Sequence, residues 1–275
     1  MPFSLKQGHT AVIIGSATGI GRAAARKWAS QGVKLALFDK SQERLSILAK
    51  ELESKTTVLS VSGDASKFEE VKDFQKAVVD KFGTVDLLFL NAGISGKSDF
   101  THPDPVRTFF ETNFFGVVNG VSAFVETLKK QSTESHVIIT GSKQGITNPP
   151  GNPGYNASKA AVKSYAEGLS FDLQGSPVEA HLLVPGWTHT FLTGDRETAE
   201  TAKPAGAWYP EQVVERLEQG LDKDEFYIFC EDNDVTTELD FKRMQYNLND
   251  ILLGRPALSR WRPEYKSEFE AFIKK

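Results

Sequence analysis

Tyr155 and Lys159, in the stretch Tyr155-Asn156-Ala157-Ser158-Lys159, stand four residues apart and so share one face of a helix that contains them. A phenol beside an ammonium can exchange a proton with a bound molecule. The phenol needs assistance, because an ordinary tyrosine has a pKa of about 10 and only about one in a thousand is ionised at pH 7. Bringing it near 7 takes about 4 kcal/mol of preferential stabilisation of the anion. A lysine ammonium in a partly dry site is a source of that stabilisation, which makes the pair a general acid/base. Ser142 adds a hydroxyl 155 − 142 = 13 residues earlier, in Ile139-Thr140-Gly141-Ser142. A tyrosine and a lysine at this spacing arise often by chance, so their position in the fold must decide.

A second constellation lies near the start. The run Gly15-Ser16-Ala17-Thr18-Gly19-Ile20-Gly21 follows an apolar β-rich stretch and opens an alanine-rich helix. Glycines there let the backbone turn sharply and approach a pyrophosphate, while the helix N-terminus presents unpaired N–H groups and partial positive charge. The spacing is Gly-x-x-x-Gly-x-Gly, which differs from the better-known Gly-x-Gly-x-x-Gly dinucleotide fingerprint. Asp39 closes the second strand 39 − 21 = 18 residues later, near the place where an acidic residue takes ribose hydroxyls. A carboxylate there repels a 2′-phosphate and so favours NAD over NADP. Two other readings stay open: Asp39 as a solvated strand end, and Lys40 as a partner for the phosphate of NADP. Asp64, before Ala65, either receives an adenine amino group or caps the helix beginning near Ser66. Asn91-Ala92-Gly93 either lies against the cofactor or forms a plain turn.

These residues need a scaffold, and the chain alternates strand-like runs with helical patterns, the sign of βαβ units feeding a parallel sheet. Strands are predicted at Thr10–Ile14, Val33–Phe38, Thr57–Val61, Val85–Leu90, His136–Thr140, Val178–Val184 and Phe226–Phe229. Helices are predicted at about 19–31, 41–54, 66–82, 104–130, 154–174 and 211–221. The expected fold is α/β: a single-domain, Rossmann-like, doubly wound sheet of about seven parallel strands with helices on both faces. Residues 187–221 read as a substrate loop or lid. Residues 231–275 form a C-terminal extension whose Arg255–Pro263 string is too proline-rich for one helix.

Composition narrows the classes. The 275 residues are 40% hydrophobic and 25% charged, with a net charge of −4, which leaves no basic surplus for nucleic acid. The one cysteine, Cys230, excludes an internal disulfide framework and fits a reducing compartment. No signal peptide, membrane-spanning run or peroxisomal tripeptide is visible, so a cytoplasmic protein without membrane contact is expected. No sequence cluster of His, Cys and carboxylates suggests a catalytic metal.

Taken together, the Gly15–Gly21 turn, Asn91-Ala92-Gly93, Asn113, Ser142, Tyr155 with Lys159, and Pro185-Gly186 resemble the short-chain dehydrogenase/reductase family in order and spacing, over about residues 8 to 230. The resemblance implies that Tyr155 exchanges a proton with the substrate oxygen and that Ser142 steadies that oxygen. It implies that Lys159 also binds the nicotinamide ribose, and that Asn113 holds a water linking Lys159 to solvent. Pro185-Gly186-Trp187-Thr188-His189-Thr190 looks like the family's segment under the nicotinamide amide, with Thr190 as hydrogen-bond partner. The chain departs from the pattern at Ile14, where the family begins with threonine, and at Thr188, where it is apolar. It departs again at Phe229-Cys230-Glu231-Asp232-Asn233, where the family has an Asp-Gly-Gly-like turn.

Ile94, Ser95, Gln144, Ile146, Pro149, Trp187, His189, Phe191, Trp208 and Tyr209 are placed to line the substrate pocket. An apolar, aromatic pocket with a few polar groups suits a medium-sized, cyclic or aromatic alcohol or ketone, such as one of secondary metabolism. The implied protein is thus an NAD-dependent oxidoreductase. A regulatory protein that binds NAD without turnover, and an enzyme of imine or C=C reduction or of a non-redox step, are the alternatives. In the family the helices corresponding to 104–130 and 154–174 pair across subunits, so a homo-oligomer is expected.

Overall fold

The computed structural model describes residues 2–190, 192 and 202–274. Seven parallel strands form one sheet: β1 (Thr10–Ile14), β2 (Lys34–Asp39), β3 (Val58–Ser62), β4 (Leu87–Leu90), β5 (Ser135–Thr140), β6 (Val178–Val184) and β7 (Tyr227–Phe229). Their order is β3-β2-β1-β4-β5-β6-β7, and every pairing is parallel. The order reverses between β1 and β4, which opens a crevice beyond the C-terminal ends of those strands.

Strand alternation explains the two cores. Ala11, Ile13, Leu35, Leu37, Leu87 and Phe89 face α1 (Gly19–Ser30), α2 (Gln42–Leu52) and α8 (Pro210–Asp222), where Trp28, Leu45 and Leu217 are buried. Their neighbours Val12, Ile14, Ala36, Phe38, Leu88 and Leu90 face α3 (Phe68–Phe82), α5 (Gly116–Lys129) and α7 (Pro153–Asp172), where Phe74, Phe124 and Val162 are buried. Central strands covered on both sides read as continuous apolar runs, and β1, β4 and β5 are buried at every position.

The structure corrects the helix predicted over 104–130. That stretch divides into α4 (Pro103–Phe109), a π-helical segment Phe110–Phe115, and α5. The two parts must face different neighbours. A Cβ on Gly120 of α5 would come within 2.4 Å of the Leu90 side chain, while Asn113 is fully buried and turned toward Ile94. The wider π turn resets the facing between them. A short α6 (Gln144–Thr147), unmarked by any sequence period, follows β5.

Two described parts of the stretch after Gly186 meet. Thr188 bridges to Trp208, and Trp208 N donates to Trp187 O at 2.9 Å. The extension carries α9 (Thr237–Leu252) and α10 (Lys266–Ile273), joined through 3-10 turns at Ser259–Trp261 and Pro263–Tyr265. The buried Asp250 carboxylate ties that junction, accepting Ser259 N at 3.0 Å and lying 3.2 Å from Arg255 Nε. Among the described residues, no helix is long and apolar enough to cross a membrane.

Candidate active site

The sharp turn after β1 depends on two glycines. Gly15 has φ +87°, and a Cβ there would lie 2.5 Å from the Ala92 backbone. A Cβ on Gly21 would lie 2.0 Å from Gly15 O. With both bare, α1 starts close against the strand ends, and the side chain of its N-cap residue, Thr18, does not cap it. Its first N–H groups are therefore available to an anion. Asn91 Nδ2 donates to Gly15 O at 2.9 Å, and Thr140 Oγ1 donates to Asn91 Oδ1 at 3.1 Å. Three strand ends are thereby locked in one frame.

A cavity of about 570 Å³ runs along these ends. Gly15, Thr18, Gly19, Ile20, Asp39, Asp64, Ala65, Asn91, Ala92, Gly93, Ser142, Tyr155, Lys159, Pro185, Gly186, Thr188 and Thr190 line it, as do Ile94, Ser95, Gln144 and Trp187. Its size and its cradle of bare glycines fit a dinucleotide. Ser16 is fully buried, with Oγ donating to Phe38 O at 3.3 Å. Gly21 and Asn113 lie behind the wall. Trp208 packs on the core beside α1 and α8, and Ile146 on the opposite core. Pro149, His189 and Tyr209 also stay outside the cavity lining; Phe191 lies outside the described residues.

Asp39 supports the glycine turn itself: Oδ2 accepts Ala17 N at 2.9 Å and Oδ1 accepts Ser41 N at 3.0 Å. Asp64 Oδ1 accepts Ser66 N at 2.9 Å, so its capping role is realised while it still lines the cavity. Burial works against the Asp64 carboxylate, but the Ser66 hydrogen bonds with Lys40 and Lys67 hold it below the usual carboxylate range. Lys40, Ser41 and Arg44 complete this end of the cavity.

At the other end the π segment places Asn113. Its Oδ1 accepts Ile94 N at 2.8 Å, and its Nδ2 donates to Ile94 O at 3.1 Å and to Ser158 Oγ at 3.0 Å. Ser158 Oγ in turn donates to Tyr155 O at 2.8 Å. Asn113 thus ties the loop after β4 to the first turn of α7. Tyr155 is 6% exposed, and the Ser142 hydroxyl acts on its phenol. Burial raises the phenol above its ordinary range, and Ser142 opposes that rise. Among the described residues the phenol receives no hydrogen bond from Lys159. The Lys159 ammonium donates instead to Thr140 O at 2.8 Å, and burial pulls its own pKa down to about 8.

Sequence reasoning missed Lys143, next to the serine. It is nearly buried, with Nζ 2.5 Å from Asp240 and 3.6 Å from Asp232. A Cβ on Gly186 would come within 2.9 Å of that Nζ. Asn247 Nδ2 also donates to Thr147 O at 2.7 Å. The extension therefore packs on the loop that carries Ser142, through contacts spanning about a hundred residues of sequence that no local pattern reveals.

Comparison with known proteins gives a consistent picture. The family model for short chain dehydrogenases matches residues 9–201. An uncharacterized oxidoreductase from Staphylococcus epidermidis is 30% identical over 211 residues, which covers 76% of this chain and 90% of that protein. The crystal structure of a short-chain dehydrogenase/reductase from Burkholderia phymatum in complex with NAD superposes with a TM-score of 0.82. It is 28% identical and covers 92% of this chain and 98% of its own. An alcohol dehydrogenase from Thermococcus sibiricus complexed with 5-hydroxy-NADP gives a TM-score of 0.75 at 28% identity, covering 83% of this chain and 98% of its own. With the glycine cradle, the hydroxyl pair and the buried lysine in one crevice, the chain belongs to the short-chain dehydrogenase/reductase family of oxidoreductases.

Proposed function

We propose that the chain is an NAD-dependent oxidoreductase acting on the carbonyl or secondary alcohol of a medium-sized, cyclic or aromatic molecule, with Tyr155 as acid/base. The reading rests on one observation above others: Tyr155 and Ser142 line the same cavity as the glycine turn, with Lys159 buried beside them. When bound, the nicotinamide ring supplies or accepts the hydride. The chain supplies the rest. Ser142 holds the substrate oxygen, and Tyr155 gives it a proton in reduction or removes one in oxidation. Lys159 binds the nicotinamide ribose and favours the phenolate when its ammonium turns from Thr140 O. Asn113 carries the water that joins Lys159 to solvent.

Thr18 and the first N–H groups of α1 hold the pyrophosphate, and Asp64 the adenine. Asp39 takes the ribose hydroxyls, and Thr188 and Thr190 serve the nicotinamide amide. Lys40 and Arg44 on the cavity wall support a second reading, in which NADP is used. Ile94, Gln144 and Trp187 meet the substrate, with residues 187–221 as the lid. Exposed Phe115 and Phe171, at 43% and 70%, suit a homo-oligomer built on the helices the family pairs. Cys230 is buried and its thiol pushed up to about 12, which fits an inert residue of a cytoplasmic protein.

Calorimetry with NAD and NADP, followed by a panel of cyclic and aromatic secondary alcohols monitored by NADH absorbance, tests this. Binding of NAD with turnover of a panel member is expected. Failure to bind either nucleotide would overturn the reading.

A further inference from the structure

His136, Glu179 and His181 take no part in the site described above. Strand register brings them together: His136 of β5 pairs with Glu179 of β6, and Ile138 pairs with His181. Alternation along parallel strands then sends all three to one face of the sheet, the face that Ile138 and Leu183 share with α8. They lie toward the strand starts, away from the C-terminal ends that carry the cofactor cradle.

His136 Nδ1 is 2.9 Å from His181 Nε2 and 3.8 Å from Glu179 Oε2. One ligand atom from each residue falls within 4.8 Å of the others. His181 Nδ1 lies 2.8 Å from Glu225 O; a carbonyl only accepts, so that nitrogen carries the proton and Nε2 keeps its lone pair toward His136. Fixing an imidazole through its far nitrogen is the support that histidine metal ligands receive. Both rings are nearly fully buried, at 1% and 2% exposure. The Glu179 side chain is 43% exposed, and a cavity of about 320 Å³ lined by Glu179, His181 and Asp224 opens beside them. An ion thus has an entry path and room for a further ligand.

We propose that His136, His181 and Glu179 bind one divalent transition-metal ion of the zinc class, which staples β5 to β6 at the end of the sheet remote from the catalytic crevice. Two imidazoles and one carboxylate suit zinc better than magnesium or calcium, which favour all-oxygen sets. Metal–nitrogen bonds of about 2.0–2.1 Å span the present nitrogen separation at an angle of about 90°, and a few tenths of an ångström of opening gives a tetrahedral angle. The ion takes the place of the single proton now between the two rings, and that proton moves to His136 Nε2, so both imidazoles bind as neutral ligands.

The test uses tag-free full-length protein stripped with a chelator. Co²⁺ is followed by its ligand-field absorption and Zn²⁺ by calorimetry and thermal unfolding. Wild type is expected to bind one equivalent, show tetrahedral-type Co²⁺ bands and melt at higher temperature with Zn²⁺. His181→Gln and His136→Gln are expected to weaken binding about a hundredfold or more, and Glu179→Gln about tenfold. Circular dichroism reports whether each variant folds; should the buried histidine variants fail to fold, the half-exposed Glu179→Gln decides alone. Absence of saturable binding by wild type, or equal affinity in every folded variant, would overturn the proposal.

Discussion

Replacing Lys159 by methionine is expected to remove a pH-dependent burden on stability. The side chain is 3% exposed, and burial pulls its pKa from 10.5 to about 8. A lysine whose folded pKa lies below its unfolded pKa destabilises the fold while charged. That penalty is complete below about pH 8 and disappears as pH rises toward 10.5. The interval corresponds to about 3 kcal/mol in full. Between pH 7 and pH 9 the linkage relation recovers about 1.4 kcal/mol of it, or roughly 3–5 °C in Tm for a chain of this size. The methionine variant carries no such charge. Wild type is therefore expected to gain about 1.4 kcal/mol on the variant over that range. Urea unfolding of both proteins at the two pH values measures the double difference, in which the lost contact with Thr140 O cancels. A stability gap that stays constant with pH, or moves in the opposite sense, would refute the reasoning.

Gly15→Ala places a Cβ 2.5 Å from the Ala92 backbone at a φ of +87°; a loss of at least about 2 kcal/mol in stability is expected, with calorimetry showing no NAD binding. Asp240→Asn leaves the nearly buried Lys143 without the carboxylate 2.5 Å away, and urea unfolding is expected to show a loss of about 3 kcal/mol. Asp39→Ala tests the proposal that this carboxylate opposes a 2′-phosphate. The ratio of NADP to NAD affinity is expected to rise about tenfold, and an unchanged ratio would assign discrimination to Lys40 and Arg44.

Much of the fold was legible because its signals are local. Strands β1 and β6 fall where their apolar runs end, and the Gly15–Gly21 turn joins strand to helix as its spacing requires. Features that depend on distant partners were hidden. The π segment around Asn113 interrupts a helical period that looks continuous, because the break is dictated by Leu90 and Ile94 rather than by its own residues. The role of Asp39 as acceptor for Ala17 N appears only once β2 lies beside β1. Lys143 carries no local signal, and only the packing of α9 brings Asp240 against it. His136 and His181 are 45 residues apart in sequence, and only strand register makes them neighbours. The bond that holds Lys159 Nζ to Thr140 O likewise joins residues 19 apart in sequence, and the Tyr-Lys spacing does not reveal it.

The most direct test of the central claim compares wild type with Tyr155→Phe on a substrate that wild type oxidises, following NADH absorbance at saturating NAD, with calorimetry of NAD as the control. A fall in kcat of at least about a hundredfold is expected, with NAD affinity nearly unchanged. Turnover retained within a few-fold of wild type would contradict the assignment of Tyr155 as acid/base.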